Sequence, residues 1–389
     1  MNPNPFSPSF AILPSSFFGR TAYIEHYATA LDTPNSAYRF FFLTGTRGSG
    51  KTSLLHQYEL QARERRWDTI KATNIDLLDR LFRYVGLDRE GSTVRSLKPS
   101  VAIPSLASIS LGELSTESAI RQPSSLLSDL LIQKLKGLRT RRGLAIIVDE
   151  AQKLKAEDAV LVLHAMQDAR LQGLDVSLVL CGLPNAYQRV RAMSDITFAR
   201  RMKRKKLWTM TKQETLAFLQ QSFAALPEIG LTSDQLYGIG SFSGGHPYLL
   251  QLLGDNIYHL VEDEYDPFGG MVIPISNELI ARAETRSLME YRDNVLNDVL
   301  RGVHPNTRDY LHTAFLLRDE HGRISVSNVS NELGKSAREL ASTRAAALNT
   351  QIVKVAGHGY LRFALPHYEY IFNAFEFEEP ETVDDEWEF

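Results

Sequence analysis

The stretch Gly45-Thr46-Arg47-Gly48-Ser49-Gly50-Lys51-Thr52 constrains this chain more than any other, because it satisfies G-x-x-x-x-G-K-[ST] and follows almost directly on the apolar run Phe40-Phe41-Phe42-Leu43. Glycines let such a loop curl until successive backbone N–H groups point inward at phosphate oxygens, and the start of the next helix adds its positive dipole end. Lys51 supplies a mobile positive charge for β- and γ-phosphates, and Thr52 a hydroxyl for Mg²⁺. So short a pattern also occurs as an ordinary Gly/Ser turn. What sets it apart is context: a β-rich run precedes it, and Ser53 to Tyr58 continue as a helix. Strand, loop and helix in that order predict a nucleotide-binding α/β domain.

Phosphate binding becomes hydrolysis only with a carboxylate for the metal and a group that orients or deprotonates water. The segment Gly143-Leu144-Ala145-Ile146-Ile147-Val148-Asp149-Glu150 supplies both. Its aliphatic run reads as a central parallel strand buried on two faces, with the acidic pair at the C-terminal end where ligands of open α/β sheets bind. Asp149 is expected to hold Mg²⁺ and Glu150 to act as base or to position water. Val176 to Gly182 form a third strand, which ends in Leu183-Pro184-Asn185. Further on, Phe198 to Lys206 are the densest positive run of the chain, open to three readings: an arginine finger that completes a neighbour's nucleotide site, a contact to the DNA backbone, or a solvated basic face. For the finger Arg201 is the choice over Arg200, with the lysines left as solvated surface.

Composition limits the classes open to such a chain. At 389 residues two or three domains are expected, and 43% hydrophobic with 23% charged residues reads as globular. A formal charge of −3 excludes a strongly basic chain, so any nucleic-acid surface is local. A lone Cys181 makes no internal disulfide, which suits a reducing cytoplasm, and no apolar run approaches the roughly 20 residues that span a bilayer. The opening MNPNPFSPSFAILPSS lacks the basic start of a signal peptide and reads as a Pro/Ser-rich arm lying on a domain.

Together these motifs resemble the AAA+ group of P-loop ATPases that includes origin-recognition initiators, transposition regulators and STAND signalling ATPases. Phe17-Phe18-Gly19-Arg20 is similar to the group's hydrophobic-GR box, which makes Gly19 and Arg20 adenine-side residues. The resemblance implies that the third strand, lying between the two motif strands, carries a γ-phosphate sensor, for which Asn185 is the candidate ahead of Cys181. Thr211-Lys212-Gln213-Glu214 is a capping box opening a helical segment similar to the AAA+ lid. Within it Ser243-Gly244-Gly245-His246-Pro247 resembles the GxP element of STAND proteins, so Pro247 joins the nucleotide set. Initiators usually place an arginine here; His246 in its stead favours slower, switch-like turnover, and the histidine itself reads as a packing or capping residue.

Beyond the lid the pattern resembles a winged helix-turn-helix: a helix over Thr307 to Leu316, a strand at Ile324-Val326, a helix from Val329 to Leu333 ended by Gly334, a third helix from Ala337 to Leu348 bearing Arg338 and Arg344, and a wing made by Ile352-Val355 and Tyr360-Phe363. The expected order is an N-terminal arm over 1–37, an ATPase core over 38–210 with an insertion near 86–125, a helical lid over 211–304, a winged helix over 305–375 and an acidic tail over 376–389. ATP, ADP and Mg²⁺ are the ligands implied, in a homo-oligomer, with double-stranded DNA as a partner of the winged helix and of the basic run 200–206. A STAND-like switch, whose winged helix meets an unidentified protein instead, is the alternative.

Overall fold

The unbroken apolar runs become the interior of a parallel sheet. In the computed structural model, which describes residues 2–9, 17–73, 76–86, 123–192, 200–265 and 272–373, the chain divides into two compact units. One comprises Thr21–Thr44 and Leu54–Lys206; the other comprises Met1–Arg20, Gly45–Ser53 and Leu207–Phe389. Most of the insertion expected near 86–125, and all of the acidic tail, lie outside the described residues.

The first unit is the α/β layer. Helix α1 (Thr21–Asp32) leads to β1 (Phe40–Thr44), followed by α2 (Lys51–Glu64), β2 (Asp68–Ala72), α3 (Leu77–Tyr84), α4 (Pro123–Lys136), β3 (Leu144–Val148), α5 (Ala156–Leu171), β4 (Val176–Gly182), α6 (Ala186–Ala192) and β5 (Lys203–Lys206). Every pairing is parallel, in the order β2-β3-β4-β1-β5. Every residue of β1, β3 and β4 is buried. That is the expected composition of parallel strands covered on both faces, where each apolar side chain contributes about 1.5–3 kcal/mol by burial. Leu127, Leu131 and Leu135 of α4, one helical turn apart, join Leu78 and Leu81 of α3 and Met166 of α5 in the core. Because the strands are parallel, the C-terminal ends of β1, β3 and β4 share one edge. Thr44, Asp149 and the Gly182-Leu183 turn all stand there, with β4 between the two motif strands.

The second unit is mainly helical. It contains α7 (Lys212–Ala224), β6 (Ile229–Gly230), α8 (Ser233–Ser243), α9 (Pro247–Glu264), β7 (Ile273–Pro274) and α10 (Asn277–Tyr291), whose last turn widens into a π-helical turn at Arg292–Leu296. Then come α11 (Pro305–Leu316), β8 (Arg323–Ser325), α12 (Val326–Glu332), α13 (Ala341–Asn349), β9 (Val353–Val355), β10 (Tyr360–Phe363) and α14 (Glu369–Asn373), with β8, β10 and β9 forming an antiparallel sheet. One core runs through all of it, from Phe218 and Leu253 through Tyr291 and Leu296 to Leu311 and Leu361. The N-terminal arm inserts Phe6 into this core, and Gly254 of α9 makes room: a Cβ there would stand 2.2 Å from the Phe6 ring. The box expected at Thr211 with Glu214 is present, and α8 opens on a second one, Thr232 with Gln235. The third helix of the C-terminal part starts later than its sequence pattern suggests. Ser336 and Glu339 close a reciprocal pair of hydrogen bonds around a turn, and α-helix follows only from Ala341. Among the described residues no helix is long and apolar enough to cross a membrane.

Candidate nucleotide site

The phosphate loop leaves β1 at Thr44 and enters α2 at Lys51. Gly48 and Gly50 take φ of +73° and +85°, the left-handed region that curls the loop and that side chains disfavour. Thr46 anchors the inside of the curl. Its carbonyl accepts from Ser49 N–H at 3.3 Å, from Ser49 Oγ at 2.8 Å and from the Lys51 ammonium at 2.8 Å. Lys51 is buried, so its charge sits inside the loop; Thr52 is exposed at the first turn of α2, where N–H groups have no partner within the helix. Arg47 points elsewhere, to Asp298 at 2.8 Å and to the Asn294 carbonyl at 3.3 Å. A curled backbone, a buried ammonium and a helix N-terminus fit a polyphosphate.

The same unit packs the start of α9 on this loop. Tyr248, in the first turn of α9, donates its N–H to the Gly48 carbonyl at 3.2 Å. A Cβ on Gly48 would lie 2.7 Å from Tyr248 Cβ and 2.8 Å from His246 Cε1, so glycine is needed for space as well as for φ. Pro247 opens α9, where its missing N–H costs nothing. His246 is 0% exposed, stands edge-on to Tyr291 at 4.9 Å, and has no hydrogen-bond partner on either ring nitrogen among the described residues. Burial, with the nearby charges of Lys51 and Arg20, pushes its pKa down to about 3; the Arg47 backbone opposes the shift without closing a bond to the ring. It packs, and makes no side-chain cap.

Gly19 and Arg20, at φ of +68° and +62°, meet the start of α7. Glu214 accepts the Arg20 N–H at 2.7 Å, and a Cβ on Gly19 would strike its carboxylate at 2.7 Å. Burial pushes the Glu214 carboxyl up, but hydrogen bonds from the Thr211 and Arg20 backbones win and hold it below the ordinary range. The Arg20 guanidinium reaches the Trp208 carbonyl at 2.6 Å.

In the α/β unit, Asp149 is nearly buried, donates its N–H to the Ala72 carbonyl at 3.0 Å, and accepts the Glu150 N–H on Oδ1 at 2.8 Å. Glu150 takes a left-handed φ of +54°, sparsely populated for a non-glycine residue and characteristic of functional sites. Its side chain is 42% exposed; Oε2 accepts from Gln152 Nε2 at 2.6 Å and lies 3.5 Å from Lys153 Nζ. Asn185 is exposed at the turn after β4, where its carbonyl starts α6 by accepting from Gln188 and Arg189, whereas Cys181 is buried within the strand. Arg200 and Arg201 are exposed in a helical turn just before β5.

An AAA ATPase domain family model matches residues 16–180. The chain carries an AAA ATPase domain. A second family model, described only as a domain of unknown function, matches residues 293–371, and no curated protein sequence matches the chain significantly. In fold the chain is similar to the Walker-type ATPase of Pyrococcus abyssi, at 15% identity over 92% of this chain and 96% of that one with a TM-score of 0.58. It is also similar to the ORC2 protein of Aeropyrum pernix, solved as ADPNP–ADP complexes, at 14% identity over 95% and 97% with a TM-score of 0.54. The enzyme is thus an ATPase with the parallel α/β sheet of its class.

The basic run ends in secondary structure that its charge pattern did not suggest. Lys203 to Lys206 form the edge strand β5, paired with Phe41 to Thr44, with Lys203 exposed and the other three part-buried. Arg204 donates to Thr44 Oγ1 at 3.2 Å, and the Lys205 ammonium, whose pKa burial pushes down to about 8, donates to His26 Nδ1 at 2.8 Å. The open edge of β1 needs a backbone partner, and long lysine and arginine stems can cover apolar surface while their heads reach polar groups. Two residues of the site carried no assigned role in the sequence. Glu214 was legible only as a cap and Gln152 only as a neighbour of the acidic pair; each also accepts a backbone N–H from far away in the chain, Arg20 for Glu214 and Leu183 for Gln152.

Proposed function

We propose that this AAA ATPase uses ATP–Mg²⁺ binding and hydrolysis to control its own assembly on double-stranded DNA, in the manner of initiators or transposition regulators. The backbone of Gly45, Thr46, Arg47, Gly48, Ser49 and Gly50 cradles the phosphates, Lys51 meets the β- and γ-phosphates, and Gly19, Arg20 and Pro247 line the adenine side. Thr52 and Asp149 are the ligands for Mg²⁺, which neutralises the charge that develops on the phosphates. Glu150 orients the attacking water and takes its proton, Asn185 touches the γ-phosphate, and Arg201 of a neighbouring copy makes turnover depend on assembly. The curled, lysine-bearing loop supports the nucleotide part of this reading, as do the ADPNP and ADP of the Aeropyrum pernix protein.

One observation carries the DNA part. In the C-terminal sheet Arg362 lies directly opposite Arg323 on one side and Lys354 on the other, a row of three cations. Like charges facing across strands destabilise a sheet, and only Arg323 has a carboxylate, Asp319, within ion-pair reach among the described residues. A phosphate backbone satisfies such a row. We read α11, α12 and α13 as the three helices of a winged helix and β9–β10 as its wing. Ala341, Ser342, Arg344 and Ala345 of α13 are exposed for a groove. The test is the mass in solution of the Glu150→Gln protein with ADP, with ATP, and with ATP plus duplex DNA. A mass that rises only with ATP and DNA together supports the reading; a monomer throughout refutes it.

A second reading, a STAND-like switch held closed by ADP and opened by a protein trigger, is favoured by the ties of the phosphate loop to the π-helical turn ahead of the C-terminal part. Arg47 holds Asp298 and Asn294, and Asn294 Nδ2 donates to Tyr248 Oη at 3.2 Å. On this reading Asp298→Ala loosens the monomer and speeds ADP release without DNA.

A further inference from the structure

Gln152 follows the acidic pair in a short 3-10 turn, and both ends of its amide are engaged. Nε2 donates to Glu150 Oε2 at 2.6 Å, and Oε1 accepts the backbone N–H of Leu183 at 3.1 Å. A backbone N–H only donates and a carboxylate only accepts, so a single amide orientation satisfies both neighbours. Space for the amide is built in: a Cβ on Gly182 would stand 2.5 Å from Gln152 Oε1. The Gln152 carbonyl is in turn held by Arg189 Nη1 of α6 at 2.8 Å. Glu150 itself leaves the strand with a left-handed backbone, so the direction of its carboxylate depends on what grips it rather than on the strand. The other contact, Lys153 at 3.5 Å, comes from a side chain 62% exposed and constrains little.

We propose that Gln152 is a positioning residue for hydrolysis, its amide pinning one oxygen of Glu150 to the backbone of the turn that carries Asn185 and leaving the other oxygen for water. The inference rests on Glu150 being the water-activating group. Through this bridge the strand end that meets the γ-phosphate also aims the base, so both are set by one rigid element.

Two near-isosteric variants test it. Gln152→Met removes both hydrogen bonds; Gln152→Glu keeps an acceptor for Leu183 but sets a like charge against Glu150. In nucleotide-free protein, amide exchange at Leu183 is expected to quicken about tenfold in the Met variant and to stay protected in the Glu variant. In both, kcat is expected to fall roughly 10- to 100-fold, the scale of a misplaced reacting group, with KM for ATP within about twofold of wild type. In a Glu150→Gln background the Met variant is expected to cost nothing further, since residues acting as one unit are not additive. Wild-type kcat in either variant, or a full further loss in that background, overturns the proposal. Wild-type turnover by Glu150→Gln alone instead removes the assignment of Glu150 on which it rests. Should the Met variant fail to fold, the Glu variant decides.

Discussion

His246→Leu offers a sharp test of how the start of α9 meets the glycine-rich loop. The ring is fully buried beside the ammonium of Lys51 and the guanidinium of Arg20, with Tyr291 edge-on and no partner on either nitrogen, so it stays neutral until about pH 3 in the folded chain. In the unfolded chain it titrates near 6.5. The unfolded state therefore binds the proton first as pH falls, and stability present above pH 6.5 is lost below it. With roughly 1.36 kcal/mol per pH unit, the loss relative to pH 8 is about 1.4 kcal/mol at pH 5.5 and about 2.7 kcal/mol at pH 4.5. Leucine cannot titrate and removes two unpaired buried nitrogens, so it lacks this increment and costs little at pH 8. Urea titrations at the three pH values, read through amide exchange in α9, report the unit that holds the residue. Carboxylates titrate in both proteins and cancel in the difference. If wild type and variant lose stability in parallel between pH 8 and 4.5, the histidine is not held neutral and the packing argument fails. Nucleotide should shrink the difference only in part, because burial is the main cause that keeps the ring unprotonated and phosphates offset only the smaller contribution of the two cations.

Other consequences follow from packing and charge. Phe6→Ala should cost about 3–5 kcal/mol, as truncation of a buried phenylalanine does, and an unchanged urea midpoint would show that the arm is not part of the core. Glu214→Ala should cost about 1–2 kcal/mol through the lost cap and the orphaned Arg20 N–H, and should weaken binding of a fluorescent ATP analogue; normal affinity would separate the Gly19-Arg20 turn from the nucleotide. Arg362→Ala should lower the slope of log affinity against log salt for duplex DNA by about one, whereas an unaltered slope would remove the cation row from the DNA interface.

How much of this was legible beforehand depended on how local the determinant is. The phosphate loop reads directly because glycines with φ of +73° and +85°, a strand before and a helix after are properties of one short segment. The strand that ends in Asp149 and Glu150 reads for the same reason, as does the Thr211 cap, whose partner lies three residues away. Lys203 to Lys206 did not, since their own pattern is that of a charged surface and their role comes from the free edge of β1, about 160 residues earlier. His246 read correctly as a packing residue, but its two empty nitrogens and the fit against Gly48 could not be read from a His-Pro pair.

By itself, then, the sequence determined the α/β class, the glycine loop that curls between β1 and α2 and the acidic end of β3, because backbone sterics and the period of apolar residues act within a few positions. Only the tertiary structure decided that Glu214 carries the Gly19-Arg20 turn, that Gln152 spans Glu150 and Leu183, and that Phe6 completes the core of the helical unit. Each of these joins groups whose need for a partner is visible in the chain, while the identity of the partner is set by which strands and helices pack side by side.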